Sequence, residues 1–203
     1  GITGFIGVNL KRYVEGAYQC VGVSRVSSKE KGLKSYESIG VQDFNEVKAV
    51  IHLAGKAHDL KNESSADVYF EVNRDLTVKL FDLFVKSSCE KFVYFSSVKA
   101  AADIVDGVLT EDAVPTPETP YGRSKLEAEQ YILSQKLPAN KKVYILRPCM
   151  VHGPYNKGNL NLLYKFVSKG VPYPLGAFEN KRSFTSIENL CFIVKECIEK
   201  DIP

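Results

Sequence analysis

Three short and almost continuously apolar segments constrain the fold more than any other feature of this sequence. They cover residues 49–55, 91–97 and 142–148, and each ends in small or polar residues. Runs of this length and composition are typical of β-strands buried on both faces, as in parallel sheets. Residues 68–88 and 121–135 lie between them and form predicted helices. The alternation predicts an α/β fold, a doubly wound parallel sheet of the Rossmann type, whose ligands bind beyond the carboxyl ends of the strands.

The chain begins with a glycine-rich turn. Gly1, Gly4 and Gly7 follow a G-x-x-G-x-x-G pattern, and residues 8–14 continue with apolar side chains at helical spacing. Glycines at such a turn let the backbone approach a pyrophosphate, and the start of a helix offers free N–H groups to it. We therefore predict dinucleotide binding here, and we expect the strand that feeds the turn to precede Gly1.

A strand predicted at residues 18–24 is followed directly by Arg25. At this point an acidic residue would hydrogen-bond the ribose 2′-hydroxyl of NAD, whereas an arginine accommodates the 2′-phosphate of NADP. The sequence has no acidic residue until Glu30. It therefore favours NADP over NAD as the cofactor, and the alternative is a solvated arginine at a strand end.

The pattern changes near residue 150. Glycines and prolines recur between residues 153 and 176, with helices predicted at 160–168 and 186–199. We therefore expect a dinucleotide-binding domain over residues 1–150. Residues 151–203 would be the start of a smaller substrate-binding part that continues past Pro203.

Tyr121 and Lys125 form the candidate catalytic pair. Residues four apart in a helix lie above one another on the same face. A tyrosine alone has a pKa near ~10 and is a poor acid or base at neutral pH. A neighbouring ammonium favours the phenolate and lowers that pKa, which suits the pair to proton transfer. The alternative is a surface tyrosine and lysine, but the position of this helix after a predicted strand end favours catalysis.

The charge and the cysteine content of the sequence limit the classes of function that we expect. The net charge is +3 and the basic residues are scattered, so neither nucleic acid nor an anionic membrane is favoured as a partner. The sequence shows no run of ~18 apolar residues and no signal-peptide pattern, so we expect neither a membrane span nor export. Five cysteines without a C-x-x-C pair predict reduced thiols in a cytoplasmic protein. His52 has no partner at ligand spacing, so we predict a core histidine and no metal site.

Taken in order, the motifs resemble the extended short-chain dehydrogenase/reductase family. Within it they are similar to the NAD-dependent epimerase/dehydratase branch, most of all to bacterial 4-epimerases of UDP-glucose or UDP-N-acetylglucosamine. The matching segments are residues 1–7, 52–55, Asn73, Ser96-Ser97, 121–125, 146–148, 151–154 and 182–185. They span nearly the whole chain, so the set is far more specific than any one motif.

The resemblance implies a role for each matching residue. Tyr121 would be the acid or base at the sugar hydroxyl, Lys125 would lower its pKa and hold the nicotinamide ribose, and Ser97 would hydrogen-bond the same oxygen. Ser96 is the rival for the serine role. The implied cofactor-binding residues are Gly1, Gly4, Phe5, Ile6, Gly7, Arg25, Leu53, Ala54, Gly55, Asn73, Tyr121 and Lys125. The implied substrate-binding residues are Ser97, Asn159 and Arg182.

The implied function is an NAD(P)-dependent 4-epimerase of a UDP-hexose that works through a transient 4-keto sugar, with a possible homodimer as its assembly. An NADPH-dependent 4-ketoreductase of a nucleotide sugar is the alternative, and a dinucleotide-binding regulator without catalysis is a third. A dehydratase is disfavoured because Val98-Lys99 stands where dehydratases of the family carry Asp-Glu. His152 stands where a tyrosine is usual, so the sugar is less defined than the cofactor.

Overall fold

A computed structural model describes residues 1–28, 32–57, 65–156, 159–170 and 181–202. Its elements in chain order are α1 (Phe5–Val14), β1 (Gly22–Ser24), β2 (Leu33–Ser35), α2 (Val41–Asn45), β3 (Ala49–His52), α3 (Ala66–Phe70), a π-helical turn (Glu71–Asp75), α4 (Leu76–Lys86), β4 (Lys91–Phe95), a 3₁₀ turn (Val98–Ala100), α5 (Pro120–Ser134), β5 (Lys142–Leu146), β6 (Met150–His152), α6 (Asn159–Ser168), β7 (Phe184–Ser186) and α7 (Ile187–Glu199).

Every strand pair in the described residues is parallel. β3, β4 and β5 pair side by side, β1 pairs with β2, and β6 pairs with β7. Parallel neighbours require crossover connections, and helices supply them between β3 and β4 and between β4 and β5. The predicted α/β fold with a parallel, Rossmann-type sheet is confirmed.

The central strand β4 shows why helices cover both faces of the sheet. All five of its residues are buried, and successive side chains of a strand point to opposite faces. Val93 and Phe95 pack into a core with α1 and α7. Phe92 and Tyr94 pack into a second core with α2, α4 and α5. The sheet is therefore doubly wound.

Residues 66–86 form one helical rod that the sequence predicts at 68–88, but its middle is a π-helical turn. Asn73 lies in this turn and is fully buried. One turn later, the Thr77 hydroxyl donates to the Asn73 carbonyl (2.7 Å). His52 Nε2 lies 2.8 Å from Thr77 Oγ1, so His52 donates this bond. His52 is only 3% exposed, which confirms the predicted core histidine, and burial lowers its pKa to about 3.

The shortest helices and strands are not predicted by the sequence. The five-residue helix α2 and the three-residue strands β2, β6 and β7 were not predicted, because such short segments carry too few residues to show a period. The strand predicted at 18–24 is limited to Gly22–Ser24. The strand predicted at 49–55 ends at His52, and the one predicted at 142–148 ends at Leu146.

The final helix, α7, packs across the domain boundary proposed near residue 150. Leu190, Cys191 and Val194 of this helix share one core with Leu10 and Val14 of α1. Residues on both sides of that boundary therefore form one continuous core. Within the described part of the chain, no helix combines the length and apolar character needed to cross a membrane.

Candidate active site

The parallel register brings three strand ends to one edge of the sheet. His52 pairs with Tyr94, and Phe95 pairs with Leu146, so the loops after β3, β4 and β5 leave the sheet side by side. Beyond the strands, the Ser96 N–H donates to the Leu146 carbonyl at 2.8 Å. The predicted site residues on these loops are therefore neighbours in space, as expected for a parallel sheet.

Helix α5 presents Tyr121 and Lys125 to this edge. Its first turn is fixed by Thr119, whose hydroxyl accepts the Gly122 N–H (3.2 Å), and by Pro120 at the first helical position. Proline is favoured there because its fixed φ suits the helix and its missing N–H is not needed. Tyr121 follows in the first turn, and Lys125 lies one turn later on the same face.

Ser97 and Tyr121 are brought together. The Ser97 hydroxyl accepts the Lys99 N–H at 3.2 Å and lies close enough to the Tyr121 phenol to influence it. Burial raises the pKa of Tyr121, and the Ser97 hydroxyl lowers it. Ser96, the rival serine, is buried instead, and its hydroxyl has no hydrogen-bond partner among the described residues. This geometry favours Ser97 as the residue next to the phenol.

Lys125 lies under the sheet edge rather than at the surface. It is only 4% exposed, and its ammonium donates to the Phe95 carbonyl at 2.7 Å and lies 5.0 Å from the centre of the Tyr94 ring. Burial lowers the pKa of Lys125 to about 8, and the carboxylate of Glu129 raises it. Burial is the largest influence on the Tyr121 phenol, so its pKa is raised overall, and the lowering by Lys125 stays a prediction.

Asn73 ties the loop after β3 to helix α5. Its side-chain oxygen accepts the Lys56 N–H (2.8 Å), and its amide donates to the Lys56 carbonyl (3.1 Å) and to the Ser124 hydroxyl (3.0 Å). Gly55 packs against this cluster, since a Cβ there would lie 3.1 Å from Lys125 Nζ and 3.2 Å from Asn73 Oδ1. With its amide engaged by protein groups, Asn73 is suited to position the Gly55 loop and α5.

Tyr69 is a site residue that the sequence analysis missed. Its ring packs edge-on against Tyr121 with the ring centres 6.5 Å apart, and Lys56 Nζ lies 5.6 Å from the centre of the Tyr69 ring. No spacing rule links a tyrosine before the π-helical turn to the start of α5, so only the structure could find it.

The backbone of the glycine turn is suited to binding an anion. Gly4 is the residue before α1, and the first turn of α1 contains no acidic side chain. The N–H groups of Phe5, Ile6 and Gly7 belong to that first turn, where backbone donors have no partner within the helix. A Cβ on Gly7 would lie 2.4 Å from the Gly1 carbonyl oxygen, so only glycine fits. These features fit the pyrophosphate of a dinucleotide.

Leu53, Ala54 and Arg25 surround this turn. A Cβ on Gly1 would lie 2.6 Å from Leu53 and 2.8 Å from the Ala54 nitrogen, which places these residues directly beside it. Arg25 is exposed, and its charge lowers the pKa of Tyr36, which burial raises. The Tyr36 hydroxyl in turn lies 2.8 Å from the Gly1 nitrogen. Arg25 therefore lies on the same side of the molecule as the glycine turn.

Two of the predicted substrate residues, Asn159 and Arg182, lie after β5. Asn159 is the first residue of α6, but its side chain is outside the described part of the structure. Arg182 is exposed and precedes β7, which pairs in parallel with β6. His152 at the end of β6 packs edge-on against Phe184, with ring centres 6.5 Å apart.

Comparisons with known proteins identify the family and the relatives of this chain. Residues 1–201 match the model of a family described as the NAD dependent epimerase/dehydratase family. A UDP-glucose 4-epimerase from Vibrio cholerae is 33% identical over an alignment that covers 98% of this chain and 65% of that protein. The chain thus spans slightly less than two thirds of this relative's length.

Solved structures share the fold. A UDP-N-acetylglucosamine 4-epimerase from Methanobrevibacter ruminantium, in complex with UDP-N-acetylmuramic acid, gives a TM-score of 0.81 at 20% identity, covering 100% of this chain and 72% of that one. A variant UDP-glucuronic acid 4-epimerase from Bacillus cereus, in complex with a UDP-sugar analogue and NAD, gives a TM-score of 0.77 at 21% identity, covering 98% and 71%. At these identities the likeness concerns the fold alone.

Proposed function

The chain belongs to the NAD-dependent epimerase/dehydratase family, and from this premise we propose that the protein is an NAD(P)-dependent 4-epimerase of a UDP-hexose that works through a transient 4-keto sugar. One observation carries the proposal: Ser97, Tyr121 and Lys125 converge where β4 ends and α5 begins. The glycine turn beside Leu53 and Ala54 supports a dinucleotide at the same sheet edge. The relatives that act on UDP-sugars support the substrate class.

The proposed chemistry assigns the proton to Tyr121. A bound nicotinamide would supply the hydride acceptor for sugar C4 and the hydride donor for its opposite face. As that hydrogen leaves, the Tyr121 phenolate takes the proton of the C4 hydroxyl, and Ser97 hydrogen-bonds the same oxygen. The phenol gives the proton back when the 4-keto oxygen becomes a hydroxyl again. Because burial raises the Tyr121 pKa, the phenolate needs Ser97 and the charge of Lys125.

The reaction assay separates the three candidate functions. Purified protein is incubated with UDP-glucose, UDP-N-acetylglucosamine or a UDP-4-keto sugar, each with and without NADPH. Interconversion of C4 epimers without net NADPH loss would support the epimerase. Stoichiometric NADPH oxidation with only the 4-keto sugar would instead support the 4-ketoreductase, the candidate favoured by the exposed Arg25 beside the glycine turn. Cofactor binding without either reaction would support the third candidate, a dinucleotide-binding regulator without catalysis.

We propose NADP as the preferred cofactor because of Arg25, although the Bacillus cereus structure contains NAD. Arg25→Ala should weaken NADP⁺ binding about tenfold and leave NAD⁺ binding unchanged, since one charge-assisted contact to the 2′-phosphate is lost. Calorimetric titration with both cofactors measures this. Lys136→Ala, an exposed cation just after α5, is the control. Wild-type protein that binds NAD⁺ as tightly as NADP⁺ would show that Arg25 does not select the cofactor.

We also propose that Arg182, with Asn159, contacts the diphosphate of the nucleotide sugar. An exposed arginine has the planar fork suited to phosphate oxygens. Arg182→Ala should therefore raise KM for the UDP-sugar in the same assay, and an unchanged KM would contradict the assignment.

We propose that residues preceding Gly1 form a further strand, which fills the gap between β1 and β3. These two strands belong to separate sheets among the described residues, and a cavity of about 490 Å³ lies between them. Apolar side chains from both faces, including Val23, Ile51 and Leu80, line it. The Gly1 nitrogen already lies 3.2 Å from the Val23 carbonyl oxygen. Hydrogen exchange should show protected amides directly before Gly1, and fast exchange there would contradict the strand.

The assembly and the location stay predictions. Light scattering in solution would test the homodimer that the family resemblance implies, and fluorescence microscopy would test the cytoplasmic location.

A further inference from the structure

An ion pair with a buried carboxylate lies next to the proposed catalytic lysine. Glu129 is only 1% exposed. Arg147, directly after β5, donates from Nε to both oxygens of the Glu129 carboxylate, at 3.0 and 3.1 Å. Arg147 Nη2 adds a third bond, to Oε2. The pair therefore joins the end of β5 to the middle of α5 with fixed geometry.

Glu129 is also four residues after Lys125 on α5. Residues at this spacing lie on one helix face with their Cβ atoms ~5–6 Å apart. Both side chains are buried, so their charges interact through protein rather than water, where attraction is stronger. The carboxylate of Glu129 raises the pKa of Lys125 against the lowering caused by burial.

Stability alone is a weak reason for such a pair. The Glu129 carboxylate is removed from water, whereas the Arg147 side chain keeps 31% of its exposure. Burying a charge costs free energy that attraction to a partner often does not recover. A position beside a buried ammonium gives the pair a different use. It can hold a negative charge at a fixed place next to Lys125.

We propose that Glu129, clamped by Arg147, is a positioning residue that keeps Lys125 protonated and fixed at the cleft. This role rests on the proposed function of Lys125. The titratable groups nearest Lys125 are His52 on β3, which is influenced by its charge, Tyr94 on β4, whose ring centre lies 5.0 Å away, and Tyr121 one turn earlier on α5. Of the neighbouring cations, Lys56 follows Gly55 in the loop after β3, and Arg147 after β5 is paired with Glu129. Among the described residues, Glu129 is the carboxylate that favours the charged lysine.

The test is a titration of Lys125 that needs neither substrate nor cofactor. Protein with ¹³C-labelled lysine is titrated by NMR, and the Lys125 resonance is assigned from its loss in Lys125→Met. Glu129→Gln keeps the shape of the side chain and removes its charge. The pH at the midpoint of the Lys125 titration should fall by about one pH unit or more. This is the size expected when a nearby opposite charge is removed. The alkaline limb of kcat should move to lower pH by the same amount.

Glu127→Gln is the matched control. It makes the same change two residues earlier on α5, in an ion pair with Arg74 whose side chains are 43% and 38% exposed. It should leave the Lys125 midpoint unchanged, because water screens an exposed pair.

A Lys125 midpoint that is identical in Glu129→Gln and wild type overturns the proposal and leaves the pair a purely structural one. If Glu129→Gln does not fold, Glu129→Asp retracts the carboxylate by one methylene and should shift the midpoint in the same direction by less. No shift in Glu129→Asp is then the contradicting result. The titration does not require catalytic turnover. If the midpoint shifts in a protein that has no epimerase activity, the proposed function is contradicted, but the effect of Glu129 on Lys125 is not.

Discussion

Replacing Tyr121 with phenylalanine is expected to lower kcat at least ~100-fold, because a positioned acid–base group contributes ~10²–10⁴-fold to a rate. The ring would still pack against Tyr69, so only the proton-transferring oxygen is lost. Cofactor binding should therefore stay close to that of the wild type. Steady-state kinetics with a UDP-hexose and calorimetric titration with NAD⁺ measure the two effects separately.

Tyr131→Phe provides the matched control for this change. Tyr131 lies on the same helix, but its hydroxyl donates to Asp82 at 2.6 Å, on the α4 side of α5. Its loss should leave kcat unchanged. A Tyr121→Phe protein that kept more than about a tenth of kcat, with chemistry rate-limiting, would contradict the assignment. Ser97 would then be the next candidate for the proton.

Lys125→Met should produce the second large effect. Methionine fills the same space but removes the ammonium that donates to the Phe95 carbonyl and stands beside Gly55. We expect kcat to fall ~100-fold or more, since the phenolate of Tyr121 loses its cation. We also expect the Kd for the cofactor to rise about tenfold, as for the loss of one charge-assisted hydrogen bond. The same two measurements apply.

The two variants should be strongly non-additive. Residues that act as one unit lose most of their effect with the first change. Tyr121→Phe/Lys125→Met should therefore be only slightly slower than Tyr121→Phe alone. Losses that multiply in the double variant would mean that Lys125 serves the cofactor and not the phenol. Tm values for all three proteins guard against a loss of fold.

The sequence predicts those parts of the fold that have a long or strict pattern. β4 is five buried residues in a row, and α5 begins with a hydroxyl cap and a proline, so both are visible from sequence alone. Because parallel strands end at one edge, the meeting of Ser97 with Tyr121 could be predicted as well. The choice between Ser96 and Ser97 could not, since it depends on which face of the chain turns toward α5.

Other parts of the site depend on distant contacts. Tyr69 reaches Tyr121 across two helices, and no local pattern indicates such a contact. Glu129 follows Lys125 at a helical spacing that the sequence does contain, but its burial and its partner Arg147 come from the packing of α5 against β5. The raised pKa of Tyr121 likewise follows from burial, which a motif does not report.

The π-helical turn at Glu71–Asp75 has a consequence for chain length. A π-turn contains one residue more than an α-turn, and each residue of an α-helix rotates the next by about 100°. Deleting one residue here would restore a regular α-helix and swing Tyr69 away from Tyr121, while Leu80 and Phe84 kept their places in the core. The rod would still fold and pack. In this segment the number of residues sets the direction of Tyr69, just as the identity of Asn73 fixes the Gly55 loop against α5. Natural variation in length should therefore be absent there and concentrated in the loops.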